Sequence, residues 1–204
     1  MKQNINCLCG NNLSVNVEEE IDLDQKPEQL EKIFNGTFLC FDCPLCRKKH
    51  KPEYRIMLVW KSKNLKLEIL PETERWEFYR RKKEKLPHET IIGYPEMADR
   101  LAVIKDELEP VIIETLKSYL LAKAEENYPN REINAWYHSK GPAGIEFHLD
   151  GIRTGEVAVM KLPYEIYEKT LEDYRKAPKK ELFRSLRVRS YLSVQNILRP
   201  DALK

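Results

Sequence analysis

The chain has 204 residues, of which 42% are hydrophobic and 33% are charged, and its formal net charge is +2. This balance is typical of a globular protein with a buried core, and no apolar run approaches the roughly 18 residues that would span a bilayer. The opening residues are polar and no apolar segment follows Lys2, so we expect no signal peptide. The sequence therefore predicts a cytoplasmic protein without membrane contact, in which thiols stay reduced.

Charge is distributed along the chain in four alternating blocks. Residues 1–46 carry a net charge of −5, residues 47–85 of +8, residues 86–174 of −8 and residues 175–204 of +7. Complementary faces of neighbouring domains, or solvated surfaces, are the ordinary explanation of such a pattern. The two basic blocks are also compatible with an anionic partner.

Short strands are predicted around the first cysteines. Residues 5–9 and 13–17 flank a turn, and the second of these segments alternates apolar and polar residues as a strand does. A helix is expected to begin at Pro27 and to be closed by Gly36. A strand over 37–41 then leads into the next group of cysteines.

The middle of the chain predicts a hairpin, a connector and two helices. The hairpin strands lie at 54–60 and 65–70, and residues 71–93 form an exposed connector that is partly helical. Beyond Pro95 the apolar period becomes helical, and Pro110 interrupts it and begins a second, longer helix. The final third is richer in strands, which are predicted at 133–137, 145–149 and 156–162. Helices are predicted after them at 164–176 and 179–191.

Four of the five cysteines form two close pairs, Cys7-Leu8-Cys9 and Cys43-Pro44-Leu45-Cys46. A structural zinc ion needs four ligands at tetrahedral angles, and two chelating pairs on separate turns supply them. The pattern therefore predicts a zinc site formed by Cys7, Cys9, Cys43 and Cys46. Four thiolates leave no open position for water, so such a zinc ion would be structural.

Two further residues complicate the assignment. Cys40 forms C-x2-C-x2-C with the second pair, which is part of an iron–sulfur run, but the fourth cysteine of that run is missing. We therefore interpret Cys40 as a small buried apolar residue. His50, four residues after Cys46, is a reserve ligand.

The expected fold class is α+β, with a zinc-ribbon-like N-terminal β-unit, a helical hairpin and a C-terminal β-rich α+β module. We place the domain boundary between residues 1–127 and 128–204. Zinc would contribute folding free energy to the short strands of the first unit, which bury little apolar surface by themselves.

These motifs resemble the bacterial CpXC domain family. The likeness consists of the paired cysteines, the segment from Pro27 that ends in Ile-Phe-Asn-Gly, the Cys43-Pro44-Leu45-Cys46 motif and the helical stretch 97–121. It implies a metal-binding domain and carries no enzymatic activity with it. The first pair departs from the family pattern because it lacks the proline, and Arg47 occupies a position that is often glycine.

Several functions compete for this sequence. A binding or adaptor module with an unknown protein partner is favoured, and an enzyme is not. A grouping of Ser139, His148 and Asp150 can be assembled on paper, but no nucleophile elbow accompanies it. The spacing of the cysteine pairs also resembles the zinc site of redox-activated chaperones, so a redox-sensing switch is a further hypothesis.

Nucleic-acid binding is the main alternative to the adaptor. The basic block 75–85 interleaves arginines and lysines with aromatic rings that could stack on bases, and the basic block 175–189 is predicted to place cations on one face of a helix. The candidate phosphate-binding residues are Arg75, Arg80, Arg81, Lys82, Lys83, Lys180, Arg184 and Arg187.

Overall fold

The structure, a computed structural model, describes residues 1–80 and 88–198. The chain divides into two compact units. Unit 1 comprises Met1–Phe78 and Pro87–Ala98, and unit 2 comprises Tyr79–Leu86 and Asp99–Lys204. Both units combine helices with strands, and most strands follow one another without an intervening helix, which confirms the predicted α+β fold class.

Unit 1 contains eight described strands and one complete helix, and two further helices begin in it. The strands are β1 (Lys2–Asn6), β2 (Asn12–Asn16), β3 (Glu20–Asp22), β4 (Phe41–Asp42), β5 (Lys49–His50), β6 (Ile56–Trp60), β7 (Leu65–Leu70) and β8 (Glu89–Ile92). The helices are α1 (Pro27–Phe34), α2 (Arg75–Arg80) and α3 (Tyr94–Lys105), and single 3-10 turns lie at Lys61–Lys63 and Glu72–Glu74.

The strands of unit 1 form two small hairpins and a sheet. β1 pairs antiparallel with β2, and β4 with β5. In the sheet, β3 is parallel to β6, β6 is antiparallel to β7, and β7 is parallel to β8. Alternate side chains of β7 point to one face, so Leu67 and Ile69 are fully buried. The predicted hairpin with strands at 54–60 and 65–70 is confirmed, with its first strand beginning at Ile56.

Unit 2 consists of a long helix, a three-stranded sheet and shorter elements. The helices are α4 (Pro110–Asn127), α5 (Tyr164–Lys176), α6 (Glu181–Ser185) and α7 (Gln195–Leu198). The strands are β9 (Asn134–Gly141), β10 (Gly144–Asp150), β11 (Ala158–Leu162), β12 (Arg187–Val188) and β13 (Tyr191–Leu192). The sheet has the antiparallel order β11-β10-β9, and β12 pairs antiparallel with β13.

The helical hairpin of α3 and α4 is present, but α4 lies with the C-terminal strands. Apolar residues of α4 such as Ile112 and Leu116 share one core with Phe147 and Leu149 of β10. The division at residue 128 would separate that helix from its sheet. The sequence suggests this boundary because β-rich patterning resumes there. The strand β10, against which α4 packs, follows that boundary in the sequence.

The predicted helix over 179–191 is shorter in the structure. It ends at Ser185, and the chain then forms the β12–β13 hairpin. Arg189 adopts a positive φ of 55° in the turn of this hairpin, a conformation that a right-handed helix does not contain. The single basic helical face expected for residues 180, 184 and 187 is therefore not formed. Within the described ranges, no helix has the length and apolar character needed to cross a membrane.

Candidate metal centre

The first cysteine pair is held by a tight turn between β1 and β2. The backbone N–H of Gly10 donates to the carbonyl of Cys7 at 2.9 Å, and the N–H of Cys7 donates to the carbonyl of Asn11 at 2.8 Å. Gly10 has a φ of 88°, which glycine adopts without steric cost.

The second pair is held by a similar turn between β4 and β5. The N–H of Arg47 donates to the carbonyl of Cys43 at 2.8 Å, and the N–H of Cys43 donates to the carbonyl of Lys48 at 2.9 Å. Arg47 has a φ of 58°, so an arginine here adopts the backbone conformation for which the family pattern uses glycine. The departure at this position leaves the turn intact.

The two turns bring the four cysteine sulfur atoms together. The Sγ atoms of Cys7 and Cys46 are 3.5 Å apart, and those of Cys9 and Cys43 are 3.6 Å apart. All four sulfur atoms lie within 4.8 Å of one another. A zinc–sulfur bond of about 2.3 Å at tetrahedral angles places sulfur atoms about 3.8 Å apart. The cluster therefore has the dimensions of a site for a single ion.

The apolar core beneath this cluster is small. Its buried residues are Cys7, Leu13 and Cys43, with Ile5, Val15 and Phe41 packed partly against them. Two of the three buried residues are themselves cysteines, so little apolar surface holds the two hairpins together. A metal ion bound to the sulfur atoms would supply the missing stabilisation.

Electrostatics favour a thiolate at Cys43. Hydrogen bonds from the backbone N–H groups of Cys46 and Leu45, with the side chains of Asn11 and Cys9, lower the pKa of Cys43 to about 6, although burial opposes this shift. The side-chain amide of Asn11 lies 3.6 Å from the Cys43 sulfur. Sequence reasoning did not single out Asn11, whose only signal was its position in the turn after the first pair.

The last thiol of the cluster has the opposite pKa shift. The backbone N–H of Lys48 lowers the pKa of Cys46, but hydrogen bonding to Cys7 and burial outweigh it, so that the pKa of Cys46 is raised. Neighbouring thiols that share a small volume cannot all ionise freely, because their negative charges repel. A bound cation would remove this repulsion.

The two uncertain ligands lie outside the cluster. Cys40 is half-buried, and its thiol contacts the carbonyl oxygens of Gly36 at 3.4 Å and Phe38 at 3.7 Å. His50 pairs with Phe41 across the second hairpin. Its buried Nε2 finds no hydrogen-bond partner among the residues that the structure describes, and it is not part of the four-sulfur group.

Fold and site together define an α+β protein with a zinc-ribbon-like unit, whose four cysteines are positioned to hold a metal ion. The family model described as CpXC protein matches residues 5–117, and the chain belongs to the CpXC family, as its sequence motifs indicate. An uncharacterized protein of Treponema pallidum (strain Nichols) is 30% identical to it over 219 residues, which cover 95% of this chain and 97% of that protein. No solved structure matches the chain.

The candidate phosphate-binding residues have different surroundings. Arg75 is buried, and its guanidinium pairs with Glu72 at 2.5 Å and with Glu96 at 2.6 Å. It also donates to the carbonyl of Ile92 at 3.1 Å, so this arginine already has two carboxylate partners. The remaining described candidates are exposed: Arg80, Lys180, Arg184 and Arg187. Arg81, Lys82 and Lys83 lie outside the described residues.

The loose serine–histidine–aspartate grouping is not held together by hydrogen bonds in the described sheet. Asp150 accepts hydrogen bonds from Asn134 at 2.8 Å and from Trp136 at 2.7 Å. The Nε2 of His148 lies 3.1 Å from Glu146. Asp150 and His148 thus have other partners than the sequence grouping supposed.

Replacing Arg47 with glycine is expected to stabilise unit 1 modestly. A non-glycine residue at positive φ costs about 1–2 kcal/mol, and the greater freedom of glycine in the unfolded chain offsets part of that gain. We expect a net increase in the free energy of unfolding of about 0.5–1 kcal/mol, measured by denaturant titration of the metal-loaded protein. Arg47→Ala is the control, because it removes the side chain but keeps the steric cost of the backbone.

Proposed function

We propose that the chain is a protein-binding module whose recognition surface is held in shape by a structural zinc ion. The four-sulfur cluster is the observation that carries the metal assignment. Thiolate ligands favour zinc, copper(I) or iron–sulfur clusters among biological metals. Sulfur atoms within 4.8 Å of one another leave room for one ion and not for the several irons of a cluster. Four protein ligands leave no open coordination position.

The surface around this centre supports a binding role. Leu8 lies between Cys7 and Cys9 and is 87% exposed, and Leu45 lies within the second motif and is 73% exposed. Exposed apolar side chains are typical of interaction surfaces where they form a contiguous patch. Because each leucine is part of a turn whose cysteines share the cluster, a bound metal fixes both leucines at once.

The charge near the second turn indicates the chemistry of the partner. Arg47, Lys48 and Lys49 follow the second pair directly and are all exposed. A partner segment with apolar residues flanked by acidic ones would complement the two leucines and these cations. The partner that we propose is therefore a protein whose binding segment has apolar residues flanked by acidic ones.

Elemental analysis of protein purified without a chelator tests the metal assignment. We expect about one zinc ion per chain. Five thiols should react with a titrant in the unfolded protein, but only Cys40 should react in the native one, since a zinc-bound thiolate is protected. Iron, or five reactive thiols in the native protein, would contradict the assignment. Peroxide treatment that ejects zinc would instead support the redox-switch alternative.

The binding role is tested by crosslinking and mass spectrometry with host-cell extract. We compare the native chain with the double variant Leu8→Ser and Leu45→Ser, and with Val157→Ser as a control, because Val157 is 55% exposed elsewhere. A protein that crosslinks to the native chain and to the control but not to the double variant supports the proposal. Equal crosslinking of all three chains contradicts it.

Nucleic-acid binding is the second candidate, and one observation favours it. A cavity of about 470 Å³ in unit 2 is lined in part by Arg184, Arg187 and Arg189, from the basic block 175–189. Phosphate contacts make affinity fall steeply with salt. Titration of mixed DNA and RNA at increasing ionic strength, with Arg184→Gln and Arg187→Gln, tests this candidate. Affinity without a salt-dependent component would exclude it.

A further inference from the structure

A second group of metal-ligand side chains lies on the three-stranded sheet of unit 2. Residues of β10 alternate between buried and partly exposed positions, and Glu146 and His148 share the partly exposed face. The pairing of β9 with β10 shifts between Glu146 and Phe147, since Ser139 pairs with Glu146 and Tyr137 with Phe147. His138 is the extra residue of this bulge. Bulges redirect side chains in this way.

The bulge brings His138 against His148. Their imidazole rings stack with centroids 3.8 Å apart and planes 14° from parallel. The carboxylate Oε1 of Glu146 lies 3.1 Å from Nε2 of His148 and 3.8 Å from Nε2 of His138. One ligand atom from each of the three side chains lies within 4.8 Å of the other two.

Lys161 of the neighbouring strand orients the carboxylate. Its ammonium lies 3.1 Å from Oε2 of Glu146, the oxygen that does not face the imidazoles, and the two residues are directly paired across the sheet. This contact fixes the carboxylate so that Oε1 stays directed at both rings. Hydrogen bonds that orient a ligand in this way are a common feature of protein metal sites.

We propose that His138, Glu146 and His148 form a second metal site, for a divalent transition ion such as Zn²⁺, Co²⁺ or Ni²⁺. Two imidazoles and one carboxylate are borderline ligands that suit these ions. Three protein ligands leave at least one coordination position for water or for a donor atom of another molecule. The side chain of His138 is 51% exposed, that of Glu146 21% and that of His148 29%. The ion can therefore enter directly from solvent, and its open position faces outward.

The site differs in kind from the cysteine centre. The cysteine centre is closed by four sulfur ligands, whereas the histidine site is open and contains no sulfur. We expect the cysteine centre to retain its ion through purification and the histidine site to exchange its ion with the medium. The histidine site does not depend on the proposed function, because its residues belong to a different unit and include none of the cysteines.

Calorimetric titration with Zn²⁺ tests the second site. The full chain is first brought to one equivalent of zinc and is then titrated further. We expect one additional equivalent in the native chain and in His88→Asn, a matched control whose histidine lies in unit 1 beside Glu68. His148→Asn is expected to lose that additional equivalent, and Glu146→Gln to weaken its binding at least tenfold. Circular dichroism confirms that each variant is folded.

Failure of the histidine site and failure of the cysteine centre give different results. Uptake by the native chain that is unchanged in His148→Asn and Glu146→Gln overturns the second site, as does the absence of an additional equivalent in the native chain. The titration requires the cysteine centre to hold the first equivalent of zinc, so elemental analysis of the purified chain is made beforehand and shows a failure of that centre separately. Co²⁺ gives an independent readout, because ions bound to nitrogen and oxygen lack the sulfur charge-transfer absorption that the cysteine centre would produce.

Discussion

Replacing Cys43 with serine is expected to release the metal and to open the two hairpins of the cysteine site. Among the described residues, the core that the hairpins share has three buried members, so little remains to hold the hairpins together once the ion is lost. Amide hydrogen exchange in β1, β2, β4 and β5 should accelerate by roughly 100-fold or more, since local opening would no longer require metal release. The strands β9 to β11 should keep their protection.

Cys40→Ser is the matched control for this experiment. It makes the same chemical change three residues away, at a thiol outside the four-sulfur cluster. We expect it to retain the metal and to leave the exchange of the hairpins unchanged. Equal loss of protection in both units of Cys43→Ser would show that the ion stabilises the whole chain, and a retained metal would show that Cys43 is not a ligand.

The cysteine cluster was predictable because its signal is local. Each pair is separated by one or two residues, and the turn that presents it is determined by neighbours such as Gly10, whose φ is 88°. Only the contact between the two turns joins residues that are distant in sequence. A tetrahedral metal site with four thiolate ligands needs both pairs, so it already implies that contact. The sequence therefore predicted that the site would contain four sulfur ligands and no open position. The contact of Asn11 with the Cys43 sulfur depends on the fold and was not predictable.

Two strands that were not predicted from the sequence show where local patterns are insufficient. β8 lies within the segment predicted as a connector, and β3 begins at Glu20, the last of three consecutive glutamates. Both strands are short and pair in parallel with strands that are distant in sequence. No hairpin turn beside them therefore indicates their presence in the sequence. The same difficulty applies to Arg75, whose partner Glu96 lies 21 residues further along the chain. Its place in a basic run indicated exposure, but the fold buries it.

The histidine site was beyond sequence reasoning for another reason. His138 and His148 were both visible in the sequence, but strict two-residue alternation gives no preference for the register that stacks their rings. The bulge opposite Glu146 and Phe147 sets that register. A bulge is a property of strand pairing, and a single sequence contains little signal for it.

Replacing Lys117 with methionine is expected to destabilise unit 2 by about 3–5 kcal/mol, because it leaves buried carboxylates without their cation. The ammonium of Lys117 contacts Asp99 and lies 2.9 Å from Glu114, and all three side chains are almost completely buried. Their carboxylates also accept backbone N–H groups, of Tyr137 at 2.6 Å and of Val194 at 2.7 Å. Thermal and denaturant unfolding of the purified chains measure the loss.

The pH dependence of this loss separates the charge from the packing. Burial alone would raise the pKa of Glu114, but Lys117 and Arg100 outweigh it and the pKa is lowered. A carboxylate with a lowered pKa stabilises the fold above its unfolded value of about 4.3, and that stability is lost as the pH falls through the folded pKa. We expect the pKa of Glu114 to be higher in the variant than in the native chain, because burial is then opposed only by Arg100 and the backbone N–H of Val194.

The native chain and the variant should therefore converge in acid. The difference in their free energies of unfolding is expected to be largest at neutral pH and to shrink below about pH 5, where protonation removes the unpaired negative charges. Lys123→Met, at an exposed position of the same helix, should change stability by less than about 0.5 kcal/mol at every pH. A loss in Lys117→Met that stays constant with pH would mean that the methylene packing of Lys117, and not its charge, stabilises unit 2.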